Sequence, residues 1–131
     1  MTLFIDASAL VAIIAFEPDG ETLSDVVRAD GDILWSAMSC WETVLALHKS
    51  HGYPLESARA EVEATAAVMP FRLVSIDEPV RREAFDAYHR FGKGRHRARL
   101  NMGDCFAYAC AKTNDARLLY KGDDFAHTDL A

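Results

Sequence analysis

Short apolar runs alternate along this chain with longer stretches of helical pattern, and that alternation restricts the fold more than any other property of the sequence. Thr2 to Ile5 is apolar and partly β-branched, as a buried strand requires. Ser8 is placed to cap a helix running through Phe16, which Pro18-Asp19-Gly20 breaks. A second helix is predicted from Gly20 to Ala29 with Leu23, Val26 and Val27 on one face, and a second strand at Ile33-Leu34-Trp35. Ser39 opens a third helix that reaches His51 and stops at Gly52. Pro54 begins a fourth, Leu55 to Met69, which Pro70 ends. A third strand follows at Phe71 to Ile76, then a fifth helix with Pro79 in its first turn, ending near Phe91-Gly92. After a basic loop, 92–99, Asn101 or Gly103 opens a sixth helix, on which Met102, Phe106, Ala109, Cys110 and Thr113 are spaced to face the core. Leu118 to Tyr120 reads as a fourth strand, and the tail as a further edge strand. Strands separated by helices cannot pair as hairpins, so the expectation is an α/β sandwich, a single domain over residues 1–131, with a small, mostly parallel sheet of four or five strands.

Composition excludes several classes. With 50% apolar and 26% charged residues the chain can close a core. The longest apolar run, Ala9 to Phe16, is too short for a membrane span and lacks the basic flank of a signal peptide, so a cytoplasmic protein with no membrane partner is expected. Cys40, Cys105 and Cys110 show no Cys-x-x-Cys spacing and have apolar neighbours, which favours buried thiols over a zinc site or disulfides. The five histidines are scattered and are expected mostly at the surface. A net charge of −6 argues against a nucleic-acid partner. Its distribution softens that, because Lys93, Arg95, His96, Arg97 and Arg99 crowd together just before Asp104.

Carboxylates stand beside the core-forming segments: Asp6 after the first strand, Glu42 early in the third helix, Asp104 in the first turn of the sixth, and Asp123-Asp124 after the last strand. In a parallel sheet, ligands bind where strands end. Each acid also has a structural explanation. Ser39-x-x-Glu42 matches a capping box, Asp104 suits a helix start, Asp6 can cap the first helix with Ser8, and Asp123 or Asp124 can stabilise a turn. Their joint placement points elsewhere. Gathered at one sheet edge they form an oxygen-only pocket that selects Mg²⁺ or Mn²⁺ and suits phosphate chemistry. Such acids raise one another's pKa, so metal affinity falls as pH drops. Two other readings use the same residues. One is a phosphohydrolase or phosphoacceptor domain with Asp6 as nucleophile and Lys121 nearby. The other is a non-catalytic acidic groove that binds an arginine-bearing partner.

The segments "FIDASALVAII", the helix start around Glu42, "GKGRHRARLNMGDCFAYACAK" and "LLYKGDDFAHTDL" resemble the PIN-domain ribonucleases, and among them the VapC toxins of bacterial toxin–antitoxin pairs. The resemblance runs from Leu3 to Leu130. It implies a PIN-like three-layer α/β/α sandwich and a metal-dependent endoribonuclease acting on structured RNA of the tRNA or rRNA class. Asp6, Glu42 and Asp104 fall on the family's acidic positions, and the fourth on Asp124 rather than Asp123. Asp6 and Asp104 are expected to touch the metal directly, Glu42 and Asp124 partly through water. Ser8, Asp123 and Asp129 are expected in supporting roles, and Lys93, Arg95, Arg97 and Arg99 on the RNA backbone. A cognate VapB-like antitoxin and a homodimer are further implications. Val11, Ile14, Leu47 and Tyr53 are among the apolar residues of the first four helices and their loops from which an antitoxin groove could be drawn.

Overall fold

The computed structural model describes residues 2–131. Four strands, β1 (Thr2–Ile5), β2 (Asp32–Trp35), β3 (Phe71–Leu73) and β4 (Arg117–Leu119), make one sheet in the order β3-β2-β1-β4. Every neighbouring pair is parallel, with Phe4 opposite Leu34 on one side and Leu118 on the other. The connecting helices are α1 (Ala7–Ile14), α2 (Gly20–Asp30), α3 (Ala37–His51), α4 (Leu55–Val68), α5 (Glu78–Phe91) and α6 (Met102–Thr113).

Strand side chains alternate between faces, and here both faces are apolar because both are covered. Leu3, Ile5, Ile33, Trp35 and Leu119 pack against α1 to α4. Phe4, Leu34 and Leu118 pack against α5 and α6, where Tyr108 is fully buried. The result is the three-layer α/β/α sandwich. The chain steps outward from β1 to β2 to β3, then returns to place β4 on β1's free side. β1 and β4 therefore straddle the point where the winding reverses, where a crevice opens at the strands' carboxyl ends.

Several boundaries differ from the sequence reading. Asp6, not Ser8, caps α1, accepting the Ser8 amide at 3.0 Å. The helix ends at Ile14, and Phe16 adopts φ 55° with its side chain exposed. The third helix begins earlier, because Ser36 is its cap and forms a reciprocal capping box with Ser39. The Ser39–Glu42 box therefore does not exist, and Glu42 lies in the second turn with its carboxylate released from capping. Gly52 closes α3 with φ 73°, as expected. β3 stops at Leu73 because its one neighbour, β2, runs out at Trp35. No tail strand forms among the described residues. The tail makes a 3₁₀ turn, Phe125–His127, anchored by buried Phe125 against Tyr120. On α6, Ala109 and Cys110 are buried as predicted, but Met102 is 68% exposed and Thr113 is exposed. This helix contacts α3, α5, β1 and β4, so its buried surface is broader than one stripe and runs through Cys105, Tyr108 and Ala111. All three cysteines are free thiols; Cys105 and Cys110 are buried and Cys40 half-buried. Among the described residues no helix is long and apolar enough to cross a membrane.

Candidate active site

A cleft of about 450 Å³ opens where β1 and β4 end, and Asp6, Glu42 and Asp104 all line it. Each arrives from a different element for a local reason. β1 ends just before Asp6, whose amide still donates to the Leu119 carbonyl at 2.9 Å, so the carboxylate is delivered beside the end of β4. Ser8 holds it: its amide and hydroxyl both donate to Oδ2, at 3.0 and 2.6 Å. The Ser8 hydroxyl in turn accepts the Lys121 amide at 3.0 Å, tying the two loops together.

Asp104 is fixed by a capping box at the start of α6. Its amide donates to Asn101 Oδ1 at 2.9 Å, and its Oδ2 accepts the Asn101 amide at 3.1 Å. The capping explanation for Asp104 is thus correct and incomplete, since one oxygen caps the helix while the side chain also lines the cleft. Glu42 lies against Gly103. A Cβ on that glycine would stand 1.8 Å from Glu42 Oε2, so the absence of a side chain there is what gives the carboxylate its place. The Glu42 carboxylate has no hydrogen-bond donor among the described residues.

The electrostatics follow from this crowding. Burial raises the pKa of Asp6 despite the two bonds from Ser8. Burial, with the charge of Asp6 added, pushes Glu42 up to about 7. Asp104 is likewise pushed to about 7 by burial and by the charges of Asp6, Asp124 and Glu42. Asp124 is exposed and does not line the cleft, but its charge reaches both Asp6 and Asp104. Asp123 directs its carbonyl to the Ala126 amide, closing the turn.

Not every expected residue joins the cleft. Asp129 accepts hydrogen bonds from Tyr108 Oη and Lys112 Nζ, both at 2.6 Å. Those partners lie one and two turns along α6 from Asp104, so Asp129 fastens the tail to the helix and does not support the acids. Arg95 is folded onto α5, donating to the His89 carbonyl at 3.2 Å and lying over the Tyr88 ring. Lys93, Arg97 and Arg99 are exposed, and no ion-pair partner is found for them among the described residues. Glu17, which the sequence did not single out, and Lys121, singled out only in the phosphoacceptor reading, line the cleft together, joined at 2.6 Å. They are 104 residues apart, and no sequence pattern links them. The phosphoacceptor reading needs a lysine on Asp6, whereas Lys121 Nζ is bonded to Glu17.

Crowded carboxylates whose pKa values are all raised, one of them, Glu42, without a donor, suit a divalent cation, which would replace the missing positive charge. Among the described residues, however, no three acidic, histidine or cysteine side chains are drawn close enough to ligate one ion as they stand.

The PIN domain matches residues 3–130, so this is a PIN-domain protein. Ribonuclease VapC30 of Mycobacterium tuberculosis is 42% identical over 129 residues, covering 98% of this chain and 96% of its own. Ribonuclease VapC of Mycolicibacterium smegmatis is also 42% identical over 129 residues, covering 98% of each chain. The crystal structure of Mycobacterium tuberculosis VapC20, described as a sarcin-ricin loop cleaving toxin, superposes with TM-score 0.71 at 19% identity over 95% of this chain and 92% of its own. Within the PIN-domain class, the chain belongs to the VapC family of toxins.

Proposed function

We propose that the protein is an endoribonuclease that requires Mg²⁺ or Mn²⁺, held by Asp6, Glu42, Asp104 and Asp124, and cuts structured RNA of the tRNA or rRNA class. The observation that carries this is the convergence of Asp6, Glu42 and Asp104, from three separate elements, on one cleft at the sheet's reversal point. The names of the 42%-identical relatives support RNA as the substrate. A bound divalent ion supplies Lewis acidity to the scissile phosphate and lowers the pKa of water. The chain's own residues do the rest. Ser8 keeps Asp6 ionisable and oriented by donating to it twice. Glu42 and Asp104, pushed up to about 7 in the metal-free cleft, give up their protons when they take the ion. Lys93, Arg97 and Arg99 extend from the loop before α6 to hold the RNA backbone, with Arg95 bracing that loop.

A cognate VapB-like antitoxin would silence the enzyme. Val11, Ile14 and Leu47 are consumed by the core. The surface that supports this partner is a groove of about 400 Å³ between α3 and α4, where Trp41, 66% exposed, and Leu55 offer apolar contacts to an amphipathic helix. Homodimerisation belongs to the same proposal. Asp6→Asn and Asp104→Asn should each lower RNA cleavage by about two orders of magnitude or more, as loss of a metal ligand does. Mapping the 5′ ends of RNA that accumulate on expression measures this. Full cleavage and growth arrest by both variants would reject the reading. The unassembled ligand geometry favours one alternative, a non-catalytic acidic groove. Mn²⁺ titration at neutral pH separates the two, since the groove would bind partner but no metal.

A further inference from the structure

The acids of the cleft present a difficulty for any polyanionic substrate, because the wall that must approach a phosphate is itself negative. Among the described residues lining it, Lys121 is the one cation. Its placement is fixed from both ends. The amide donates to Ser8 Oγ at 3.0 Å, and that hydroxyl is the group holding Asp6 at 2.6 Å. The ammonium donates to Glu17 Oε1 at 2.6 Å, and the other oxygen of Glu17 is bonded to His51 Nε2 at 3.0 Å. Glu17 is thereby oriented from α3 and holds Lys121 along the wall. The lysine side chain keeps 29% of its surface exposed. An ammonium has three donors, and Glu17 uses one of them.

We propose that Lys121 is a substrate-binding residue that grips an RNA phosphate flanking the scissile one, with Glu17 as the positioning residue that sets its reach. This rests on the ribonuclease reading and extends it by naming the contact that offsets the cleft's negative charge. Were Lys121 only a structural tie, its partner would matter as much as its charge. A phosphate contact, in contrast, requires the charge itself and releases a counterion on binding.

The test uses a fluorescein-labelled RNA hairpin with a single-stranded loop as probe. Its affinity is measured between about 50 and 200 mM salt, with divalent ions chelated, for the Asp6→Asn protein, in which cleavage is expected to be at least about a hundredfold slower, alone and combined with Lys121→Met, Lys121→Arg or Glu17→Gln. Lys121→Met is expected to weaken binding about tenfold and to reduce the slope of log affinity against log salt by about 0.7 to 0.9. Lys121→Arg is expected to restore the slope, and Glu17→Gln to keep it because the ammonium remains. Melting temperatures show that each variant is folded. An unchanged slope in folded Lys121→Met, with the parent binding RNA normally, overturns this proposal alone. A wild-type protein that neither binds nor cuts RNA, even with Mn²⁺, overturns the ribonuclease reading and this proposal with it.

Discussion

Glu42 and Asp104 hold protons near neutrality because burial denies their charges water, and the charge of Asp6 adds to the cost. The consequence for stability has a definite sign. In the unfolded chain both groups titrate near ordinary carboxylate values, so between pH 5 and about 7 the folded protein binds more protons than the unfolded one. Stability of the metal-free protein should therefore fall as pH rises through that window. Urea unfolding at pH 5.5 and pH 8 measures this, and Glu42→Gln should flatten the dependence. Gly103 makes a second prediction at this scale. Gly103→Ala places a Cβ within 1.8 Å of Glu42 Oε2, and the end of a flexible side chain yields more readily than backbone. Glu42 should swing aside, metal affinity should fall about tenfold or more, and the melting temperature should stay level or rise because alanine favours a helix. A large drop in melting temperature would instead show that the backbone moved.

At the scale of elements, the starts of α3 and α6 decide what the acids can do. Both carry reciprocal capping boxes, Ser36 with Ser39 and Asn101 with Asp104. In α3 the box is completed by serine alone, which leaves Glu42 uncommitted. In α6 the acid itself completes the box, so capping and orientation of Asp104 are one interaction. Asn101→Ala should cost about 1 kcal/mol of stability, as N-cap losses do, and should also weaken Mn²⁺ binding measured by calorimetry. Ser36→Ala should show the stability loss with little change at the metal. The cap residues of α3 and α6 were partly legible. Asn101 was foreseen as a start, whereas Ser39-x-x-Glu42 imitated a box that Ser36 pre-empts. A pattern fixes spacing along a helix, but which serine caps depends on where β2 releases the chain, and β2 ends one residue before Ser36.

For the molecule as a whole, the cleft is assembled from loops and helix starts that only the finished sandwich brings together. A divalent ion binding there would add stability by mass action, about 2.7 kcal/mol at a hundredfold excess over its dissociation constant. Since the ion competes with protons for Glu42 and Asp104, Mn²⁺ should raise the melting temperature more at pH 8 than at pH 5.5, and a chelator should abolish the gain. Equal shifts at both pH values would place the ion elsewhere.

The alternation of strands and helices, the parallel sheet and the sequence neighbourhood of each acid were all local properties, written in patterns a few residues long. Asp6 follows β1 and Asp104 opens α6 whatever the rest of the chain does. That Asp129 turns away to Tyr108 and Lys112, and that Glu17 meets Lys121, were decided by packing. The reason is physical: side-chain spacing sets which residues share an element's face, but contacts between residues a hundred positions apart depend on where whole layers come to rest.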